Sequence, residues 1–198
     1  MQFLDEKGHR INHLAVEREE QLQAERYITP DSVVLELGAR YGTVSCVINK
    51  RLASSANQVS VEPDVRVHGA LQQNMIANGC NFHILKGVVS RTPVQLAEMD
   101  SYGGYGTTSV KATESSINSY TLEEVERQYG LSFNTVVADC EGFLEQFMDE
   151  NPKLYRQLHL ILFEKDYAHR CNYDKIMNLL SNHGFVRVEA GFHEVWKK

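Results

Sequence analysis

Short apolar runs that alternate with helix-forming segments constrain the fold of this chain more than any other feature. The clearest run, residues 33–37, is rich in β-branched side chains and stops at Gly38, which is typical of a buried strand. Strands that alternate with helices are joined by crossover connections. The pattern therefore predicts a mostly parallel sheet with helices on both of its faces.

The same reading extends along the whole chain. The predicted strands are residues 33–37, 58–61, 82–89, 133–138, 158–163, 185–188 and 192–196. The predicted helices are residues 11–27, 44–53, 65–78, 122–129, 142–149 and 173–182. The last two strands form a hairpin, which adds an antiparallel edge strand. The predicted fold class is α/β, a doubly wound, mostly parallel seven-stranded sheet.

Length and composition favour one globular domain. The chain has 198 residues, of which 42% are hydrophobic, enough to bury a sizeable core. We expect an N-terminal helical extension at 1–30 and a single domain at 31–198, with an insertion at about 91–119. Within it, the glycine- and tyrosine-rich segment 101–107 is either a platform for a sugar ring or an ordinary surface loop. The acidic helix at 17–25 is a solvated face, a lid or a dimer contact.

Charge and cysteine content restrict partners and compartment. The formal net charge of −6 argues against broad affinity for nucleic acid. No apolar run is long enough to span a membrane, and the N-terminus lacks the pattern of a signal peptide. The cysteines are far apart in sequence, so we expect isolated hydrophobic side chains in a reducing, cytoplasmic setting. They are Cys46, Cys80, Cys140 and Cys171.

The end of the first strand carries the first candidate site. In sheets of this kind ligands bind beyond the carboxyl ends of the strands. Here Gly38 and Gly42 are spaced G-x-x-x-G, and Arg40 stands where a dinucleotide-binding loop needs its central glycine, which disfavours a nicotinamide cofactor. Glu36 would repel a phosphate and suits a cationic ligand group. The alternative is a tight strand–helix turn without a ligand.

An acid at the end of the second strand completes the pattern. Glu62 follows Gly38 at the distance from which a carboxylate binds both hydroxyls of a ribose, although a solvated acid is the alternative. Together the two strand ends predict a ligand with an adenosine, no phosphate and a cationic tail. S-adenosylmethionine has this composition.

Successive blocks of the chain resemble the FkbM-type methyltransferase family. The resemblance covers about residues 30–170. Its most specific element is the D-x-E-G block at 139–142, which follows a helix that begins T-L-E. The loop after the first strand departs from the family pattern, because Arg40 stands where the family usually has asparagine. The blocks are VVLELGARYGTVS, VSVEPD, HGALQQNMIANG with GVVS, TLEEVERQYG, VVADCEGF and LILFEKDY.

The resemblance implies a Rossmann-like class I methyltransferase fold and an S-adenosylmethionine-dependent O-methyltransferase. Such enzymes often act on sugar hydroxyls of glycans, for example on a deoxyhexose such as rhamnose. The implied methionyl-end residues are Glu36, Gly38 and Gly42, with Ala39, Arg40 and Tyr41 in the same loop. The implied ribose and adenine residues are Glu62, Pro63, Gly87, Val88 and Ser90. Asp139 is implied beside the transferred methyl group.

Candidate catalytic residues follow the fourth and fifth strands. Asp139 is the first candidate for a general base or a metal ligand. Glu164 and Asp166 could join it in a site for a divalent cation such as Mg²⁺ or Mn²⁺, or serve as a base without metal. His169 is a third catalytic candidate, and Asp166 and His193 are further possibilities.

Three functions remain open on the sequence. The first is an O-methyltransferase that acts on a carbohydrate or glycan hydroxyl, as a module of a larger glycan-synthesis enzyme or as a homodimer. The second is a metal-dependent O-methyltransferase of small molecules. The third is a non-catalytic scaffold that keeps the fold.

Overall fold

The computed structural model describes residues 1–98 and 107–198 as an α/β fold. The helices are α1 (Arg18–Tyr27), α2 (Thr43–Arg51), α3 (His68–Ala77), α4 (Leu122–Tyr129), α5 (Leu144–Glu150), α6 (Leu154–Gln157) and α7 (Tyr173–Asn182). The strands are β1 (Phe3–Leu4), β2 (Arg10–Ile11), β3 (Val34–Leu37), β4 (Gln58–Glu62), β5 (His83–Lys86), β6 (Val88–Val89), β7 (Val94–Glu98), β8 (Thr107–Lys111), β9 (Ser119–Tyr120), β10 (Thr135–Ala138), β11 (Leu160–Glu164), β12 (Val186–Glu189) and β13 (His193–Lys197).

A seven-stranded sheet forms the centre, in the order β12-β13-β11-β10-β3-β4-β5. The five strands from β11 to β5 are parallel, and β13 runs antiparallel to both β11 and β12. The predicted fold class and the antiparallel C-terminal pairing are confirmed. The reversed strand β13 is the second strand of the sheet, and β12 forms its edge.

The register of the sheet brings the predicted strand ends to one level. Leu37 of β3 pairs with Ala138 of β10, which in turn pairs with Phe163 of β11. Residues one step further along these strands therefore lie side by side at the carboxyl edge. They are Gly38, Asp139 and Glu164, and Glu62 takes the same place on β4.

Alternating side chains give the sheet two apolar faces, as expected of strands buried on both sides. Leu35 and Ile161 pack into a core with residues of α4, α5, α6 and α7. Val34 and Leu162 face the other way and pack with residues of α1 and α2. Because helices cover both faces of the sheet, its carboxyl edge stays uncovered, and the loops that follow the strands come together there.

Local signals located several helix ends correctly. Thr121 caps α4 in a capping box with Glu124, and Gly130 ends the helix in a left-handed conformation. The bounds of α7 also match the prediction. The short hairpin of β1 and β2 and the single-turn α6 were missed, because two-residue strands and four-residue helices carry too little periodicity to be recognised.

The third predicted strand, 82–89, is divided at Gly87. A Cβ atom there would lie 2.3 Å from the carbonyl oxygen of Asn118. The chain turns at this glycine, so that β5 stays in the large sheet whereas β6 pairs with β9. The division places Val88 and Val89 at the carboxyl edge of the sheet.

The N-terminal segment packs on the sheet and its helices. The predicted helix 11–27 begins only at Arg18, after a left-handed Glu17. Helix α1 packs against α2 and also contacts β11 and β13. Gln21 and Gln23 are buried, so α1 is not simply a solvated face. None of the helices within the described ranges has the length and apolarity needed to cross a bilayer.

The predicted insertion contains an antiparallel hairpin formed by β7 and β8. The hairpin packs beside the carboxyl edge of the sheet, where Leu96 and Ser109 contribute to the site described below. The predicted sugar platform at 101–107 falls almost wholly outside the described residues.

The expectation of four isolated cysteines is wrong for one pair. Cys46 in α2 and Cys80 after α3 form a disulfide, with Cα atoms 5.8 Å apart. The two residues are 34 positions apart and become neighbours only when the segment after α3 packs against α2. Cys140 and Cys171 are free.

We expect thiol titration of the unfolded, unreduced chain to find two free thiols, and four after reduction. Closing a loop of this length stabilises a fold by about 3–4 kcal/mol in the chain-entropy treatment, so reduction should also lower the urea midpoint. The Cys46→Ser/Cys80→Ser variant is the control, since its midpoint should not respond to reductant. Four thiols before reduction would contradict the pairing.

Candidate functional site

A cleft of about 710 Å³, open to solvent, lies at the carboxyl edge of the sheet. The ends of β3, β4 and β10 form its floor, and the turn after β10 and the β7–β8 hairpin form its walls. Its lining includes Glu17, Leu37, Gly38, Arg40, Val61, Glu62, Pro63, Asp64, Val88, Val89, Leu96, Ser109, Asp139, Cys140, Glu141 and Phe143.

Gly38 allows the floor of the cleft to form. Its φ is +91°, and a Cβ atom there would lie 1.8 Å from the carbonyl oxygen of Asp139. The chains leaving β3 and β10 therefore approach more closely than any side chain permits. The amide of Asp139 in turn donates to the carbonyl of Leu37 at 3.1 Å.

Glu62 is held rigidly at the end of β4. It is 5% exposed and accepts hydrogen bonds from the amides of Arg40 at 2.6 Å and Asp64 at 2.7 Å. Burial raises the pKa of Glu62 to about 7, against the lowering effect of these two amides. Each carboxylate oxygen can still accept a second hydrogen bond, so Glu62 can receive two hydroxyl donors from a ligand.

One wall of the cleft is apolar. Val88, Val89 and Phe143 are buried side chains of this wall, and Leu96 extends it from the hairpin. Flat, weakly polar ring systems bind between such side chains. The apolar wall and the carboxylate of Glu62 together suit a nucleoside.

The other end of the cleft is acidic. Asp139 and Glu164 share a hydrogen bond, and burial is the main cause that raises the pKa of both, most strongly that of Glu164. Two carboxylates in contact do not both ionise easily, so the pair retains one proton near neutral pH. A carboxyl pair of this kind can accept a proton from a bound hydroxyl.

His193 of β13 connects this pair to α1. Its Nδ1 and Nε2 lie 2.9 Å from carboxylate oxygens of Glu19 and Glu20, respectively, and Nε2 lies 4.0 Å from Glu164. Burial lowers the pKa of His193, but the hydrogen bonds and charges of Glu20 and Glu19 outweigh that effect and raise it. An imidazolium that donates on both sides is the form this arrangement favours.

Among the residues that the structure describes, two groups of acidic and histidine side chains have the spacing of metal ligands. Glu20, Glu164 and His193 form one, and Asp139, Glu141 and Asp166 form the other. The sequence predicted a metal held by Asp139 with Glu164 and Asp166. Asp139 and Asp166 fall in one group, and Glu164 falls in the other. The first group combines an imidazole nitrogen of His193 with carboxylate oxygens. The second offers oxygen ligands only, which suit a hard cation.

The structure assembles part of the predicted cofactor site. The predicted residues that line the cleft are Gly38, Arg40, Glu62, Pro63, Val88 and Asp139. Ala39 and Tyr41 are buried in the packing beneath the loop, and Gly42 precedes α2 with φ +81°. The Ser90 hydroxyl hydrogen-bonds within its own turn, to the carbonyl of Thr92 at 2.8 Å.

Glu36 is directed into the protein. It is 2% exposed and accepts hydrogen bonds from Ser60 at 2.5 Å and Gln58 at 3.4 Å. Burial raises its pKa to about 7. Glu36 lines a second, smaller pocket that adjoins the cleft at Gly38 and Asp139.

His169 lies away from the cleft. Its side chain is exposed and packs edge-on against the ring of Tyr167, with centroids 5.9 Å apart. The helix and strand pattern could not reveal this, because the direction of a side chain in the loop after β11 depends on tertiary contacts.

Sequence reasoning missed Glu17, which lines the cleft from the segment before α1. The Thr43 hydroxyl donates to its carboxylate, and burial raises the pKa of Glu17 well above its ordinary value. Nothing in the local sequence distinguishes Glu17 from the neighbouring acids of α1. Its position in the cleft follows from how α1 packs on α2.

Backbone strain is concentrated at this edge of the molecule. Within the described ranges, the non-glycine residues with positive φ are Glu17, Arg40, Glu141 and Tyr167. Glu17, Arg40 and Glu141 line the cleft, and Tyr167 lines a neighbouring cavity together with Glu17 and Glu141. Such conformations cost energy and are typical of functional sites.

The sheet order, the reversed β13 and the cleft at the strand ends define a Rossmann-like α/β fold of the class I methyltransferase type. Solved structures share it. Precorrin-6y C5,15-methyltransferase from Geobacter metallireducens GS-15 has a TM-score of 0.55 at 14% identity, over 95% of this chain and 93% of that one. Ribosomal protein L11 methylase from Lactobacillus delbrueckii subsp. bulgaricus has a TM-score of 0.53 at 16% identity, over 89% and 74%.

A protein of the NADB-Rossmann superfamily from Streptococcus agalactiae has a TM-score of 0.54 at 9% identity, over 90% of this chain and 67% of that one. At these sequence identities, the similarity to solved structures establishes the fold alone. No protein-family model matches the chain, and no curated protein matches it.

Proposed function

We propose that this chain is an S-adenosylmethionine-dependent methyltransferase that methylates a hydroxyl group. The observation that carries the proposal is the division of the cleft into an apolar wall with the fixed carboxylate of Glu62 and an acidic end around Asp139. The first half suits an adenosine, and the second suits the positive charge of a sulfonium. Carboxylates on both sides disfavour a phosphate.

The residues of the cleft fit this cofactor. Glu62 would accept the ribose hydroxyls, and Val88, Val89 and Phe143 would enclose the adenine. Asp139 and Glu17 would lie near the methionyl end. When bound, the cofactor supplies a methyl group on a positively charged sulfur, which leaves as a neutral thioether when the acceptor oxygen bonds to the carbon.

The chain's own contribution is to hold the acceptor and to take its proton. A hydroxyl is a weak nucleophile until its proton is removed. Asp139 stands at the end of β10 in a pair with Glu164 that holds one proton. The ionised member of the pair accepts the hydroxyl proton. Asp139 is therefore the proposed general base.

The proposed acceptor is a sugar hydroxyl of a glycan. The resemblance of the VVADCEGF and LILFEKDY blocks to FkbM-type enzymes supports it, as does the net charge of −6, which disfavours nucleic acids.

A metal-dependent enzyme that acts on small molecules is the second candidate, because Asp139, Glu141 and Asp166 offer a set of oxygen ligands. Methyl transfer that survives EDTA would exclude the second candidate.

Binding of S-adenosylhomocysteine tests the proposal. By calorimetry we expect micromolar binding, and about 100-fold weaker binding for Glu62→Ala, since two hydrogen bonds to a charged group are lost. Glu25→Gln removes an exposed acid of α1 and should bind like the parent chain. Absence of binding by the parent chain would contradict the proposed function and favour a scaffold.

The affinity should also depend on pH. The pKa of Glu62 in the unliganded protein is about 7, and only its carboxylate form accepts two hydroxyl donors. Binding of S-adenosylhomocysteine should therefore weaken from about pH 8 to about pH 5.5, approaching tenfold per pH unit below the pKa. Glu62→Gln has no such proton to gain, so its profile should be flatter. Parallel profiles for the two chains would contradict this role.

A further inference from the structure

Two asparagine side chains of α3 and its C-terminal end hold the N-terminal strand of the chain. The Oδ1 of Asn74 accepts from the amide of Leu4 at 2.9 Å, and its Nδ2 donates to the carbonyl of the same residue at 2.9 Å. Asn78 pairs with Gln2 in the same way, with both hydrogen bonds at 2.8 Å. Each carboxamide therefore pairs with a strand residue as a neighbouring peptide group would.

The spacing of helix and strand allows both contacts at once. Residues four apart on a helix are separated by about 6 Å along its axis, and residues two apart in a strand by about 6.6 Å. Asn74 and Asn78 can thus meet Leu4 and Gln2 together. Between them Phe3 is fully buried, in an apolar cluster that includes Ala39 of the loop after β3.

The second hydrogen of each Nδ2 distinguishes the two asparagines. Asn74 donates it to the carbonyl of Tyr41 at 3.0 Å, in the loop of residues 38–42, which we call the cofactor loop. Asn78 donates it to the carbonyl of Asn74 at 2.8 Å, within the same helix. Asn74 is 2% exposed, so the bond that it makes to the cofactor loop is sheltered from water. The pair thus separates attachment of the N-terminal strand from contact with the loop.

The cofactor loop has a backbone that needs outside support. Arg40 and Gly42, on either side of Tyr41, are both left-handed, with φ +41° and +81°. Such a conformation costs free energy at an arginine and persists only where the surrounding structure fixes it. It lets the Arg40 amide donate to Glu62 at 2.6 Å. The Tyr41 carbonyl that Asn74 holds lies between these two left-handed residues.

We propose that Asn74 is a positioning residue of the cofactor site, because it fixes the turn that presents the Arg40 amide to Glu62. This inference rests on the proposed function and adds a residue that does not line the cleft. With the turn fixed, the carboxylate of Glu62 is already oriented before a ribose arrives. Without it, the Tyr41–Gly42 peptide can rotate, and the Arg40 amide leaves its acceptor.

Amide exchange measured by NMR tests the positioning without any cofactor. Asn74→Leu removes both donors at nearly constant volume, and we expect the Arg40 amide to exchange about tenfold faster or more. The Gly38 amide, which donates to a carbonyl of β4, should keep its protection, so that local and global opening are told apart. Asn78→Leu weakens the hold on the N-terminal strand in the same way but should leave exchange at Arg40 unchanged.

A double-mutant cycle with Glu62 tests the consequence for binding. By calorimetry with S-adenosylhomocysteine, Asn74→Leu should bind about tenfold more weakly, the loss expected when one hydrogen bond to a carboxylate is broken, and Asn78→Leu should bind like the parent chain. Added to Glu62→Ala, Asn74→Leu should cost about twofold or less, because its effect passes through that carboxylate. Asn74→Ser, too short to bond to Leu4 and Tyr41 together, replaces the leucine variant if that variant does not fold.

The outcomes are distinguishable. Equal exchange at Arg40 in the Asn74 and Asn78 variants would overturn the positioning role. An equal loss of affinity from Asn74→Leu with and without Glu62 would also overturn it, since a purely structural change is additive. Faster exchange at Arg40 in Asn74→Leu, with no binding of S-adenosylhomocysteine by the parent chain, would contradict the proposed function and overturn the assignment of Asn74 to a cofactor site.

Discussion

Replacement of Asp139 by asparagine is expected to lower the rate of methyl transfer by about 10²–10⁴-fold, the usual contribution of a general base. Asp139 lies at the end of β10 at the acidic end of the cleft, and it shares a proton with Glu164. Asparagine has nearly the same shape but cannot accept the hydroxyl proton. The measurement is kcat with the best acceptor, together with calorimetry of S-adenosylhomocysteine.

Two further variants make the result for Asp139 specific. Asp174→Asn changes the charge by the same amount at an exposed residue that does not line the cleft, and it should keep the parent rate. Glu164→Gln removes the partner of Asp139 and should change the pH profile of kcat more than its maximum, because it alters which proton the pair holds. A full rate for Asp139→Asn would disprove the assignment of the base.

Gly38→Ala is expected to cost at least about 3 kcal/mol of folding stability and to abolish cofactor binding. A Cβ atom would lie 1.8 Å from the carbonyl oxygen of Asp139, on a backbone with φ +91°. The chains after β3 and β10 would have to separate, and the floor of the cleft would open. Urea unfolding and calorimetry measure the two effects.

Gly130→Ala is the matched control for this change. Gly130 also has a left-handed backbone, with φ +67°, but a Cβ atom there would meet nothing within 4 Å. It should therefore cost only the conformational penalty of about 1–2 kcal/mol and leave cofactor binding intact. An equal loss for Gly38→Ala and Gly130→Ala would show that close approach of the two chains is not what makes Gly38 necessary.

Helix and strand signals in the sequence predicted the architecture because they are local. The β-branched run before Gly38 and the capping box at Thr121 act within a few residues of themselves. Parallel strands then share one carboxyl edge, so the position of each strand end in the sequence already indicates where a ligand binds. The proximity of Gly38, Glu62 and Asp139 could be predicted in this way.

Pairings between distant segments could not be predicted in the same way. The disulfide of Cys46 and Cys80 depends on how the segment after α3 packs against α2. The position of Glu17 in the cleft depends on how α1 packs on α2 and the sheet. No periodic pattern in the sequence indicates either contact, because tertiary packing alone brings the two partners together.

The sequence by itself determined the order of the strands and helices, the glycine turn after β3 and the acids that end β4, β10 and β11. The tertiary structure decided what each acid faces: Glu62 the cleft, Glu36 the interior, and Asp139 its partner Glu164. The physical reason is the separation along the chain over which each interaction acts. Hydrophobic periodicity and capping act between neighbours in the chain, whereas burial, shared protons and charge depend on every segment that packs around the site.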